Sequence, residues 1–199
     1  MVQMPRTTAW LEGLPQGLDS YPECQVKGSL LRRLVKSQSL QPHLSLLPSE
    51  LLEWFRTPPL VSAWVPEVHM FAMLHALRDL VYDEPTLHAF VSSGIQRMIS
   101  SPLYKIMFLV VTPTRLLYGI GRRWDQFHRG TTMTATDLGD VIDVHVEHPP
   151  CLYSPTIRGL TAATFLTAVT AAGGRGYRVE AMHDESTATV AVFRTFRPR

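Results

Sequence analysis

Residues 131–196, TTMTATDLGDVIDVHVEHPPCLYSPTIRGLTAATFLTAVTAAGGRGYRVEAMHDESTATVAVFRTF, decide the fold. They read as two strands, a helix and two more strands. From Val141 to Glu147, the side chains of Ile142, Val144 and Val146 fall on one side and those of Asp143, His145 and Glu147 on the other. A period of two marks a strand with one buried and one wet face. DLGD turns the first hairpin, TTMTAT to VIDVHVE, and DES turns the second, YRVEAMH to TATVAVFRTF. Between them Ser154-Pro155 starts a helix that Gly173-Gly174 ends. Serine at the N-cap and proline at the first helical position suit that start, because the missing N–H is one the helix could not use. After Arg158 this helix is uncharged and rich in Ala and Thr. Such a surface calls for cover on more than one side, from the sheet and from another helix or subunit.

Upstream the pattern is helical. Residues 1–26 carry Pro5, Pro15 and Pro22 with Gly13 and Gly17 and show no period. They are expected to form an extended arm anchored by Trp10 and Leu14, leaving 27–199 as a single domain. Helices are predicted from Lys27 to Gln38, from Pro48 to Arg56, and from Pro66, where Met70, Met73, Leu74, Leu77, Leu80 and Val81 recur at helical spacing. Pro85 opens the next, to about Ser100. Ser101-Pro102 and Thr112-Pro113 repeat the hydroxyl-proline start signal. From Pro113 the residues Leu116, Ile120, Trp124 and Phe127 form an inward stripe, and Gly130 stops the chain before the first strand. The predicted class is α+β, a helical N-terminal half packed on a C-terminal ββαββ antiparallel sheet.

Composition narrows the function. A hydrophobic fraction of 45% with 18% charged residues describes an ordinary globular chain rather than a disordered one. A net charge of +2 gives no footprint for nucleic acid. Cys24 and Cys151 make neither a disulfide framework nor a cysteine-rich zinc site, which fits a reducing compartment. MVQMPRTTAW lacks a signal-peptide core. The longest apolar run, residues 106–111, is far below the roughly 20 residues that span a bilayer. The expectation is a cytoplasmic protein without a membrane span.

Candidate chemistry is sparse. His69 and His75 share the long helix, but six residues at about 100° each set them roughly 120° apart, so one metal cannot take both. Each could serve singly as an axial ligand, while His75 with Asp79 at i, i+4 suits a local hydrogen bond. His145, Glu147, His148 and Cys151 are dense, yet strand parity parts His148 from the first two. They read as a polar outer face plus a buried thiol acting as a small hydrophobe, and no metal site is expected. Arg122, Arg123 and Arg129, among Trp124, Phe127 and His128, offer a partner-binding surface once the aromatics turn inward. Met70, Met73, Met98, Met107 and Met133 suit core filling or an adaptable apolar pocket. No nucleophile elbow, P-loop, dinucleotide fingerprint or metal-binding helix motif occurs, which points away from an enzyme and leaves no catalytic residue to name.

The order of elements, with Val26-Lys27-Gly28-Ser29, Trp64-Val65-Pro66, Leu117-Tyr118 through Trp124 to Gly130, and Pro150-Cys151 followed by Gly159-Leu160, carries a resemblance. The chain resembles the superfamily of the 4-vinyl reductase domain, the haem-NO-binding domains and the TRAPP subunits. More narrowly it looks like a paralogous myxobacterial family of similar length. Relatives often carry cysteines in the final hairpin, where this chain has His183 and Thr187. The haem branch uses a Tyr-x-Ser-x-Arg signature, and Tyr153, Ser154 and Arg158 have its letters at a different spacing. The resemblance implies a pocket for an acyl chain, tetrapyrrole or haem between helices and sheet. The resulting expectation is a non-enzymatic regulatory or assembly module, a homodimer without a cofactor. It would take a small apolar ligand near His69, His75, Met70, Met73 and Cys151, and could dock a protein partner. Two alternatives stay open: a haem or tetrapyrrole sensor with a single histidine ligand, and an enzyme of the reductase branch.

Overall fold

The computed structural model describes residues 4–100 and 112–198. Pro5–Glu12 forms α1, with proline at the first turn, so this segment is helical rather than an extended arm. Trp10 and Leu14 do anchor it: both are buried, and the Trp10 indole stacks on His75 and donates to the Cys151 carbonyl oxygen at 3.1 Å. Strand β1 (Gln25–Lys27) leads straight into α2 (Gly28–Lys36), and α3 (Ser49–Arg56) precedes β2 (Trp64–Pro66). Helix α4 (Glu67–Leu80) has ten of its fourteen residues buried, which makes it the central helix of the N-terminal half. Helix α5 (Glu84–Ile99) follows, its first turn capped by the Asp83 carboxylate, which accepts from the Thr86 N–H at 2.9 Å.

The stripe predicted from Pro113 is real but broken. Gly119 divides it into α6 (Pro113–Tyr118) and α7 (Ile120–Trp124). The Thr112 hydroxyl accepts from the Arg115 N–H, as the start signal implied, whereas Ser101-Pro102 and Met107 lie outside the described residues. Strand β3 (His128–Arg129) then joins β1, giving a small antiparallel sheet of order β2-β1-β3. Its register sets Gln25 opposite both Pro66 and Arg129 and Val26 opposite His128. That pairing brings the first turn of α4 beside His128. Gly130 makes the close approach possible: its φ is +73°, and a Cβ there would lie 2.6 Å from the Glu23 carbonyl oxygen.

The C-terminal third is the predicted platform. Strands β4 (Thr132–Asp137), β5 (Val141–Glu147), β6 (Arg178–Ala181) and β7 (Val190–Phe196) form one antiparallel sheet of order β4-β5-β7-β6. Helix α8 (Pro155–Ala171), capped by the Ser154 hydroxyl accepting from the Ile157 N–H, connects the two hairpins. Ile142, Val144 and Val146 are buried as their alternation requires. The other side of β5 is drier than the pattern suggested, because register places Asp143 opposite Arg194. The Arg194 guanidinium donates twice to Asp143, each bond 2.7 Å, and also reaches Glu185. The rings of Phe165 on α8 and Phe193 on β7 meet edge to face with centroids 5.1 Å apart. The further cover that α8 needs comes from α5 of the same chain. Among the described residues no helix is long and apolar enough to cross a membrane.

Candidate functional site

Where α8 faces the N-terminal helices, the packing leaves a cavity of about 260 Å³, near the lower end of the volumes that hold small molecules. Leu30 and Leu34 of α2, Met70, Phe71 and Leu74 of α4, and Phe90, Val91, Ile95 and Met98 of α5 line it from one side. Leu116, Leu117, Ile120, Trp124 and Phe127, the stripe read as core, form part of its wall. Ile157, Leu160, Thr161, Thr164, Phe165 and Ala168 contribute from α8. The threonines do not make that wall wet. Thr161 donates to the Ile157 carbonyl oxygen at 2.9 Å and Thr164 to that of Leu160 at 3.0 Å, the back-bonding that occupies a helical hydroxyl. An uncharged Ala/Thr helix is thus what an apolar chamber beside a sheet requires.

Besides Gln126, three polar features break the apolar lining. The first is a carboxylate–imidazole pair. Glu67, the first residue of α4, suits that position through the helix dipole, and its side chain is fully buried. Its Oε1 accepts from His128 Nδ1 at 2.9 Å and from the Tyr153 hydroxyl at 3.3 Å, in the tautomer that protonates Nδ1. Its Oε2 has no partner among the described residues. Trp124 lies flat on the His128 ring, centroids 3.5 Å apart and planes within 2°, with its own N–H donated to Thr131 Oγ1. Both His128 and Tyr153 line the cavity. Burial, then the Glu67 charge, hold the Tyr153 phenol well above its ordinary pKa. The same two causes push the nearby Cys24 thiol up to about 12, so neither group ionises near neutral pH.

The second feature is Arg33 of α2. Its guanidinium, half-buried in the cavity wall, lies across Gly94 of α5, where a Cβ would stand 2.9 Å from Nη1. Burial, and then the like charge of Arg97, lower its pKa. The third is Arg123 of α7, whose Nη1 reaches the Leu116 carbonyl oxygen at 3.5 Å.

The histidines singled out in the sequence are elsewhere. His69 accepts from the Trp54 indole N–H at 2.8 Å. His75, 2% exposed, meets the Ser154 hydroxyl at 2.9 Å, and burial drops its pKa to about 4. Neither lines the cavity. Helical spacing shows which residues share a face but not which neighbour that face meets. Met70 and Met98 are on the wall, whereas Met73 and Met133 are buried in the core. Cys151 is exposed at a positive φ of 63°, contrary to the expected buried thiol; the buried one is Cys24. His148 is buried against Tyr153 and Glu147 accepts from Thr132, so the group around His145 does not converge. Among the described residues no three potential ligands stand together for a metal. Arg122, Arg123 and Arg129 do not form one patch: Arg123 lines the cavity, Arg129 stacks on Trp64, and Arg122 is exposed. Sequence reasoning missed Glu67, Arg33 and Gly94. Only the glycine left a signal, an otherwise unexplained break in the propensity of a long helix.

No protein-family model and no curated protein matches the sequence. Solved structures do match in fold. One, from work on haem distortion in the H-NOX family, aligns at a TM-score of 0.58 and 10% identity over 87% of this chain and 95% of its own. The Shewanella woodyi H-NOX in its Fe(II)CO state aligns at 0.54 and 12% identity, covering 85% and 93%. A variant of the T. tengcongensis H-NOX aligns at 0.52 and 11% identity, covering 85% and 96%. At such identities the likeness is one of fold: this chain has the α+β architecture of the haem-NO-binding domains across most of its length.

Proposed function

We propose that this chain is a sensor-type module that binds, rather than turns over, a largely apolar ligand in the cavity between α5 and α8. A tetrapyrrole such as haem is the leading class. The observation that carries the reading is the cavity wall itself, mostly aliphatic and aromatic, with His128, Arg33, Arg123, Gln126 and the Tyr153 hydroxyl as its polar groups beside two threonines whose hydroxyls are bonded back to their own helix. The H-NOX structures support the choice of class, since haem is the group those proteins are studied for. The side-chain chemistry suits it, and at about 260 Å³ the cavity would have to widen to take a whole macrocycle. Aromatic and aliphatic side chains suit a macrocycle, and His128 replaces His69 and His75 as the candidate ligand. Its Nδ1–H is committed to Glu67, which leaves Nε2 as the ligating nitrogen. A ligating histidine ordinarily gives its second N–H to a carboxylate, which fixes the tautomer and raises basicity. Haem bound there would supply an iron centre able to bind a small diatomic molecule.

Dimerisation keeps less support than the sequence suggested, because α5 already covers α8. Protein expressed with added haem precursor and examined by absorption spectroscopy tests the haem reading, and native mass spectrometry of the same sample reports subunit number. The expected result is a Soret band that shifts or weakens in His128→Ala. A wild-type protein that neither carries nor takes up hemin would end the haem assignment, and a retained mass of another apolar molecule would redirect it.

A further inference from the structure

Arg33 is placed as a binding residue is placed, and not as a structural one. Its neighbour Arg32 gives Nη1 to the Pro59 carbonyl oxygen at 2.9 Å, and Arg78 reaches Glu84. Arg33 sits in the cavity wall, and among the described residues it has no hydrogen-bonding or ion-pair partner; the one charge acting on it, from Arg97, repels it. Glycine inside a helix weakens that helix relative to alanine, yet α5 keeps Gly94 at the spot where the Arg33 side chain lies. A half-buried cation without a counter-charge is costly. A guanidinium's planar fork of N–H donors matches carboxylate and phosphate; a largely apolar wall with few other polar donors suits the singly charged carboxylate of an otherwise apolar molecule better than a more highly charged phosphate.

We infer that the cavity's ligand carries a carboxylate and that Arg33, seated over Gly94, is the cation that receives it, with Arg123 as a second donor on the same wall. This rests on the reading that the cavity binds a ligand. The acid could be a propionate of a tetrapyrrole or the head group of a fatty acid.

Four probes separate the possibilities: hemin, hemin dimethyl ester, the fluorescent fatty acid cis-parinaric acid, and its methyl ester, each titrated into the full chain. The expected result is that at least one acid binds about 10- to 100-fold tighter than its ester, the worth of one charge-assisted pair. Whichever pair shows the gap names the source of the acid. Arg33→Met is expected to close the gap, and Arg33→Lys to restore part of it. Gly94→Ala, which keeps the charge but pushes the side chain off its seat, should narrow it as well. Matched melting curves for the variants exclude unfolding as the cause. Equal binding of acid and ester, or a gap that persists in Arg33→Met, overturns acid recognition while leaving the binding cavity standing. Failure of all four probes with folded wild-type protein overturns the cavity reading and this inference with it.

Discussion

Two charge systems of this molecule, one in the sheet and one at the cavity, are built differently. In the sheet, Asp143 and Arg194 face each other in register and share two short hydrogen bonds, with Glu185 completing the set. At the cavity, Glu67 keeps one oxygen without a partner and Arg33 has no counter-charge among the described residues. Closing every hydrogen bond suits a group whose role is to hold strands in place. Leaving donors and acceptors open beside an apolar chamber suits groups that wait for a ligand. On the proposed reading, the difference separates the part of the chain that secures the fold from the part that would receive a ligand.

The contrast can be tested from its strongest element downward. Phe193 is fully buried in the sheet core against Phe165. Phe193→Ala is expected to cost about 3–5 kcal/mol in denaturant unfolding; a loss below 1 kcal/mol would mean that the sheet side is not the rigid half. Next comes pH. His75 is neutral in the folded state with a pKa near 4, mainly through burial, against 6.5 when unfolded. The unfolded chain therefore binds the proton first as pH falls. Stability is complete above pH 6.5, declines between 6.5 and 4, and loses at most about 3 kcal/mol through this group. A non-titrating His75→Leu variant should lack that part of the slope in pH-dependent melts.

The paired and unpaired arginines then provide a difference of sign. Arg194→Met strands Asp143, whose side chain is 8% exposed, and is expected to lower the denaturant midpoint clearly, though by less than breaking a fully buried pair would because Arg194 is partly solvated. Arg33→Met removes a charge with no partner to strand, so unfolding should change by no more than about 0.5 kcal/mol or show a gain. If the two variants cost the same, the division between a closed and an open charge system fails.

Much of the scaffold could be read directly. The alternation in β5, the proline starts at Thr112 and Ser154, and the glycine pair after α8 all lie within single elements, and the structure keeps them. The break at Gly119 and the helical turn at Pro5 were harder to read, since short helices depend on what they pack against. The site was legible only in fragments. Leu116, Ile120, Trp124 and Phe127 stood out as an apolar stripe, but an apolar stripe is the same signal whether its neighbour is a side chain or a void. His69 and His75 stood out because histidine is rare and reactive, yet their partners Trp54 and Ser154 are 15 and 79 residues away in the chain.

The sequence by itself determined the longer helices and the antiparallel ββαββ platform, because periodicity, caps and turns are local, whereas α1 and the short strands β1, β2 and β3 form through what they pack and pair with. Only the tertiary structure decided that Glu67, His128 and Tyr153 meet, that Arg33 comes to rest on Gly94, and that a cavity stays open between them. Those contacts join residues up to 86 positions apart, and packing in three dimensions, not any pattern along the chain, selects which of them form.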